Sequence, residues 1–231
     1  MKLQKLYSYV RRAMDDYSMV DDGDKIAVGV SGGKDSLALL YALSGLRKFY
    51  PKKFDIVALT VNLGFENQDF NLIKDFCKNL DVECKIIDTE IGDIVFHKRK
   101  ESNPCSLCAK MRKGSLNDVA KKMGCNKVAY AHHRDDMIET MLMSLIYEGR
   151  FHCFNPVTYL DRMGLNVIRP MMYVSEMDVI GFANKYNLPV AKNPCPVDGH
   201  TKREYIKTLV RQLNRENPNC KDRLFTAVLN G

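Results

Sequence analysis

The sequence predicts an α/β protein: a doubly wound, mostly parallel sheet, Rossmann-like, with flanking helices. Three observations predict it. Short apolar runs alternate with longer helical segments along most of the chain, the pattern of strand–helix–strand units. The first run, residues 25–30 (KIAVGV), leads without a spacer into a glycine-rich hexapeptide and then an apolar segment. A second polar cluster, His132-His133-Arg134-Asp135-Asp136, also follows a short apolar run. Both would then lie beyond strand C-termini, where open parallel sheets bind ligands.

Taken in order, Leu3, Leu6, Tyr7, Val10 and Met14 have helical spacing. A turn at 21–24 precedes the strand at 25–30, and a helix is expected at 37–46. Strands at 54–61 and 82–87 flank a helix at 67–80. Residues 91–103 are polar and basic. A helix at 106–123 closes on Gly124. A strand at 127–131 is followed by a helix at 135–147 with Ile138, Met141, Leu142, Leu145 and Ile146 on its apolar side. Val167-Ile168 reads as a last strand and 176–186 as a further helix. There is no internal repeat and no boundary before Arg150, so residues 1–231 read as one domain with a C-terminal helical appendage at 200–231.

At 45% hydrophobic and 27% charged, the 231 residues have the balance of a soluble globular chain. No apolar run approaches the roughly 20 residues that cross a bilayer, and the start of the chain lacks a signal-peptide core. A cytoplasmic protein with no membrane partner is expected. Thirty-five Lys and Arg against 28 Asp and Glu give a net charge of +7, compatible with a polyanionic partner. Eight irregularly spaced cysteines do not suggest a disulfide scaffold in a reducing compartment, so each thiol is either a ligand or a small buried group.

In Ser31-Gly32-Gly33-Lys34-Asp35-Ser36 the glycines let backbone approach an anion, and the next helix aims its first N–H groups at it. Ser31 and Ser36 add hydroxyls and Lys34 a charge. Asp35 would repel phosphate unless a cation bridges the two, which points to Mg²⁺. A Walker A loop is excluded, because Val28 stands where its first Gly belongs and Asp35 follows Lys34. Asp136, Glu139 and Thr140 are spaced to share a helix face. They read as a second Mg²⁺ contact, with helix capping as the structural alternative for Asp135 or Asp136. His132 and His133 are substrate-facing or structural.

Cys105-Ser106-Leu107-Cys108 is a Cys-x-x-Cys at a helix start, open between zinc, an iron–sulfur cluster and a redox pair. Cys195, between Pro194 and Pro196, is placed for a third ligand, and three thiolates on a cubane would leave one iron open. Cys77, Cys84 and Cys125 read as buried thiols, and Cys153 as a candidate fourth ligand. Arg203, Lys207, Arg211 and Arg215 recur every four residues as a basic helical stripe suited to RNA phosphates, or a solvated face. His97, Lys98, Arg99 and Lys100 form a second basic patch.

The hexapeptide, the Cys-Ser-Leu-Cys and the His-His-Arg-Asp-Asp together resemble the PP-loop (N-type ATP pyrophosphatase) superfamily, and within it the tRNA 2-thiocytidine synthetase (TtcA) family. Arg11-Arg12, Asp22-Gly23-Asp24 and Ile168-Arg169-Pro170 extend the likeness from the N-terminal helix to Cys195. Two stretches depart from the family pattern: Gly64-Phe65-Glu66-Asn67-Gln68, and the single Cys195 before Pro196-Val197-Asp198-Gly199.

The resemblance implies a PP-loop ATPase fold, a 4Fe-4S cluster on Cys105, Cys108 and Cys195 (zinc being the rival), and thiolation of a tRNA cytidine. By it, Val30, Ser31, Gly32, Gly33, Lys34, Asp35, Ser36, Val61, Asn62, Ala131, His132 and Asp136 would bind ATP, with Asp35 and Asp136 on Mg²⁺. Asp35 and the three cysteines would be the catalytic set, and Arg169 would face substrate or phosphate. Sulfide or a cysteine desulfurase would supply sulfur, and a homodimer is implied. The expected function is an ATP-dependent tRNA sulfurtransferase releasing AMP and pyrophosphate. The alternatives are sulfur insertion into another nucleoside or small metabolite, and a nucleotide-binding metal or redox sensor without turnover.

Overall fold

The structure, a computed structural model, describes residues 1–65, 69–99, 104–191, 195 and 202–231. In chain order the elements are α1 (Leu3–Asp16), β1 (Asp24–Gly29), α2 (Lys34–Leu46), β2 (Phe54–Asn62), α3 (Asn71–Asn79) and β3 (Glu83–Asp88). A single turn, α4 (Ile91–Asp93), runs into a π-helical turn at Ile94–Lys98, followed by α5 (Pro104–Lys122), β4 (Lys127–Ala129) and α6 (Arg134–Glu148). The chain closes with β5 (Val157–Leu160), β6 (Leu165–Ile168), α7 (Glu176–Lys185), α8 (Lys202–Glu216) and α9 (Cys220–Asn230).

The six strands order β3-β2-β1-β4-β6-β5. All neighbours are parallel except the β5–β6 hairpin, which bears out the mostly parallel sheet. The chain builds outward from β1 through β2 to β3, then crosses back to lay β4 on the other side of β1. A crevice at the C-terminal ends of β1 and β4 follows from this reversal. Ile26 and Val28 of β1 face one apolar layer and Ala27 the other, the two-residue alternation of a strand covered on both faces.

The first layer is the larger. Leu37, Leu39, Leu40, Leu43 and Leu46 of α2 are fully buried in it, because α2 lies between the sheet, α1 and α7 and so is apolar around most of its circumference. α1 closes against it at Gly45, where a Cβ would stand 1.9 Å from the Tyr7 hydroxyl. α5 covers the opposite face through Leu116 and Ala120. Ile206, Val210 and Phe225 of α8 and α9 join the main core.

Two boundaries differ from the sequence expectation in ways that matter. α2 begins at Lys34, which puts Lys34, Asp35 and Ser36 in its first turn. α5 is described from Pro104, two residues earlier than expected, so both cysteines of the Cys-x-x-Cys lie on the helix. The helix expected at 67–80 starts later, at Asn71 with Phe70 as its N-cap, and Asn67, Gln68, Lys100, Pro194 and Pro196 lie outside the described residues.

Candidate active site

The glycine-rich loop continues β1: the Val30 N–H still bonds to Leu59 O at 2.8 Å, one residue past the strand. The chain then turns on its own serines. Ser36 Oγ accepts from the Ser31 N–H at 3.1 Å and donates to Gly33 O at 2.9 Å, and the Gly33 N–H reaches Ser31 Oγ at 3.4 Å. Gly33 caps α2 without any side-chain hydrogen bond. The helix therefore presents its first N–H groups and positive dipole end at the crevice, as an anion site requires. Val30, Ser31, Gly33, Asp35 and Ser36 line a cavity of about 340 Å³ there.

Lys34 turns to the other side. Its Nζ lies 3.0 Å from Asp35 Oδ2 and 3.4 Å from Glu176 Oε1. Burial alone would lower this ammonium, but the Asp35 and Glu176 carboxylates hold it above its ordinary value. Asp35 Oδ1 is buried and without a hydrogen-bond partner, 3.7 Å from His133 Nε2. A buried, unpaired carboxylate oxygen is costly. Its position between phosphate loop and histidine fits a divalent cation.

The end of β4 supplies the facing wall. Ala131, His132 and Asp136 line the same cavity as the loop. His133 is the N-cap of α6: its Nδ1 accepts from the Asp136 N–H, and Asp136 Oδ2 accepts from the His133 N–H at 2.9 Å. Asp136 is thus a capping residue whose other oxygen, Oδ1, is 3.4 Å from the Arg203 guanidinium. Asp135 is structural, pairing with Lys221 at 2.7 Å and accepting from the Glu176 N–H. Burial, then the charges of Arg169, Lys113 and Arg203, push His132 down to about 3, so it stays neutral against Phe154, 4.8 Å away.

A second cavity, of about 380 Å³, is lined by Cys105, Cys108 and Cys195 together with Lys34, Glu139, Glu176, Arg203 and Lys207. Cys105 and Cys108 share a face of α5, one turn apart. The two cavities have Asp35, Ala109, Arg112 and Asp136 in common, so phosphate loop and thiols stand on either side of one wall. Burial is the main influence raising the Cys108 thiol; Arg112 opposes it, and Cys195 and Cys105 add to it. Cys153 donates to Met137 O at 3.5 Å and lines a different cavity, which removes it as a fourth ligand. Among the described residues no three His, Cys, Asp or Glu are set around a single ion position. Three thiols lining one cavity without surrounding a single ion position suit a cubane, whose ligands are spread over separate irons.

The basic stripe divides. Arg203 reaches Asp136, Glu139 (3.3 Å) and Thr140 (3.1 Å), and Lys207 reaches Glu176 at 2.6 Å. Both point into the second cavity, whereas Arg211 and Arg215 are exposed. This corrects a uniformly solvent-facing stripe: Asp136, Glu139 and Thr140 do share one face, and they draw the first half of α8 onto it. Lys98 pairs with Asp93 at 2.8 Å. Asn62 bonds to Asp88 and to the Gly64 N–H, shaping the turn after β2; of the pair at 61–62 it is Val61 that lines the first cavity. Arg169 is 8% exposed, bonded to Asn155 O and Thr158 Oγ1 and stacked over Phe154. Burial brings it down to about 10. It faces the site through its field rather than through a free fork.

Sequence reasoning missed Arg112 and Lys113. Both line the first cavity from α5, and burial with the charges of Arg169 and Arg203 lowers the Lys113 ammonium. Their one signal was position, one to two turns after the Cys-x-x-Cys on the same helix.

A glycine-rich loop and a helix N-terminus open to a cavity at the crossover of a parallel sheet mark the class: a nucleotide-binding α/β protein. A family model described as PP-loop domain matches residues 3–213. The tRNA-cytidine(32) 2-sulfurtransferases of Geobacter sulfurreducens and Geobacter metallireducens are 37% and 38% identical over 100% and 99% of this chain and 91% and 90% of their own lengths. The chain belongs to the PP-loop family, in its tRNA 2-thiocytidine synthetase branch. Among solved structures, the U34-tRNA thiolase NcsA from Methanococcus maripaludis, with its 4Fe-4S cluster, superposes with a TM-score of 0.81 at 25% identity, covering 98% of this chain and 77% of that one. The NH3-dependent NAD synthetase from Campylobacter jejuni shares the fold at a TM-score of 0.53 and 18% identity, covering 100% of this chain and 93% of its own. No helix among the described residues is long and apolar enough to cross a membrane.

Proposed function

We propose that the chain is an ATP-dependent tRNA sulfurtransferase that adenylates the C2 carbonyl oxygen of a cytidine and exchanges that oxygen for sulfur. One observation carries the reading: the phosphate-loop cavity and the three-thiol cavity share the wall formed by Asp35, Ala109, Arg112 and Asp136. An adenylated carbon held at that wall would be within reach of both halves of the reaction.

Leu59, Val61, Leu116 and Tyr130 form the apolar part of the first cavity and suit the adenine. The loop N–H groups with Ser31 and Ser36 suit the phosphates, and Arg112 and Lys113 the charge that develops as the α-phosphate is attacked. The carbonyl oxygen bonds to the α-phosphorus and pyrophosphate leaves. A sulfur nucleophile then adds to the same carbon, the C–O bond breaks and AMP departs. Mg²⁺ bound by Asp35 and Asp136 would neutralise phosphate charge. Cys105, Cys108 and Cys195 would hold a cluster that, when bound, would supply the sulfur. The chain's own contribution is to position the reactants and stabilise the charge that develops.

Arg211, Arg215 and the basic residues at 97–99 suit tRNA phosphates beyond the cavity. Sulfide or a cysteine desulfurase is the sulfur source in this reading, the cytoplasm its compartment and a homodimer its assembly. The test is nucleoside analysis of tRNA from a strain lacking the gene. Loss of 2-thiocytidine, restored by the wild-type chain but not by Cys195→Ala, is expected. An unchanged thionucleoside profile would refute the tRNA assignment.

A further inference from the structure

The lysine of the phosphate loop stands apart from its neighbours. Val30, Ser31, Gly33, Asp35 and Ser36 line the nucleotide cavity, whereas Lys34 lines the second cavity, beside the thiols. Two carboxylates draw its Nζ there, Asp35 Oδ2 at 3.0 Å and Glu176 Oε1 at 3.4 Å. They are not equivalent. Asp35 belongs to the shared wall and lines both cavities, so an ammonium paired with it alone could turn to either side. Of the two cavities, Glu176 lines the second alone. Glu176 therefore sets the side on which Lys34 stands.

Glu176 is itself firmly held. It occupies the first turn of α7, next to the Ser175 cap, whose Oγ accepts from the Asp178 N–H at 3.1 Å. Its own N–H donates to Asp135 Oδ2 at 2.8 Å, and its Oε1 accepts from Lys207 Nζ at 2.6 Å. The side chain is only 12% exposed, and a carboxylate this far from water keeps its charge by keeping its cations. A group fixed by backbone, cap and a second lysine can hold a flexible lysine stem in one place.

The placement has a kinetic meaning. The triphosphate already meets the loop N–H groups, Arg112 and Lys113. A further ammonium on it would bind ground state and transition state alike, adding affinity without rate. Across the wall the same charge stands where acceptor and sulfur react. We propose that Glu176 is the positioning residue of Lys34, holding the loop lysine on the acceptor side of the shared wall and off the triphosphate. The inference rests on ATP occupying the first cavity, and its binding test uses neither tRNA nor sulfur transfer.

Binding of α,β-methylene ATP with Mg²⁺ is measured by titration calorimetry on the full chain as wild type, Lys34→Met, Glu176→Gln and the double variant, with steady-state AMP release on tRNA alongside. Lys34→Met should move the nucleotide Kd and the KM for ATP by less than about 2-fold while lowering kcat about 10-fold. Glu176→Gln should free the lysine for the triphosphate and tighten nucleotide binding about 5-fold, and that gain should vanish in the double variant. Binding weakened about 10-fold or more by Lys34→Met would put the ammonium on the triphosphate and overturn the proposal. An unchanged kcat in Lys34→Met would overturn it too. So would no tightening in Glu176→Gln, or a tightening that survives without Lys34, the mark of a repulsive field merely removed. Lys34→Met decides the matter alone if Glu176→Gln does not fold. Absence of 2-thiocytidine with the binding results as expected would count against the proposed function and not against the place of Lys34.

Discussion

The Asp136 N–H donates to His133 Nδ1 at 3.2 Å while Asp136 Oδ2 accepts from the His133 N–H at 2.9 Å. This reciprocal capping box starts α6 and holds one Asp136 oxygen in place, which leaves the other, Oδ1, turned toward Arg203. Capping and ligand binding are thus not alternatives at this position, because the two oxygens divide the work. Asp136→Asn keeps an acceptor for the cap and removes the charge. It should melt within a few degrees of wild type and lose about 100-fold in Mg²⁺-dependent AMP formation. Asp136→Ala should lose the cap as well, at about 1 kcal/mol. Thermal melts paired with AMP assays separate the two.

Arg203 spans Asp136 and Glu139 and stands where a cation would neutralise them. Burial, then Asp136, raise the Glu139 carboxyl, with Arg203 opposing. Arg203→Met should therefore raise Glu139 further at nucleotide-free neutral pH. It should also let Mg²⁺ bind Asp35 and Asp136 about 3- to 10-fold more tightly in titration calorimetry, since a competing positive charge is gone. Weaker Mg²⁺ binding would mean that the guanidinium organises the carboxylates rather than competes at them.

The pair of half-buried Lys221 and buried Asp135 ties α9 to the start of α6. Burial would raise Asp135, but the Lys221 and Glu176 hydrogen bonds more than reverse this, and its carboxyl is held below the ordinary 3.8. A depressed carboxylate contributes stability above its unfolded value and loses it as pH falls through the folded one. Lys221→Met strands a buried charge and should cost about 3 kcal/mol at pH 7. The gap between wild type and variant should narrow as the pH is lowered through and below 3.8, where Asp135 takes a proton in both. Urea melts across that range provide the check; a gap independent of pH would show that Lys221 acts by packing alone.

Lys113 faces the nucleotide cavity with its ammonium lowered by burial and then by Arg169 and Arg203, a concentration of positive charge that an incoming triphosphate relieves. Lys113→Met should raise the KM for ATP about 10-fold while leaving the melting temperature unchanged or higher, since it removes a repelled charge from the metal- and nucleotide-free protein. Steady-state AMP release against ATP concentration measures it.

Much of this was readable along the chain. The phosphate loop is local: glycines, hydroxyls and Asp35 occur in six consecutive residues after an apolar run, and the fold kept them together. The shared face of Asp136, Glu139 and Thr140 followed from helical spacing alone. What was missed is long-range. No local pattern tells that Arg203 and Lys207 turn inward to Asp136 and Glu176, from 67 and 31 residues away, rather than outward with Arg211. The β5–β6 hairpin was half seen, at Val167-Ile168, because Val157–Leu160 has only four residues and its turn is announced chiefly by Gly164, at φ +63°. Asn62 was expected at the nucleotide and instead builds the turn at Gly64, a use that depends on Asp88 from the neighbouring strand.

The central claim is that adenylation and sulfur transfer take place on one RNA carbonyl at the wall between the two cavities. Protein purified without oxygen and reconstituted with iron and sulfide, given Mg²⁺, ATP, excess sulfide and an unmodified tRNA transcript, tests it when AMP and thionucleoside are counted together. The account predicts one 2-thiocytidine for each AMP released, and neither product with Asp35→Asn. AMP released on tRNA with no thionucleoside formed, or sulfur entering RNA without ATP cleavage, would contradict it.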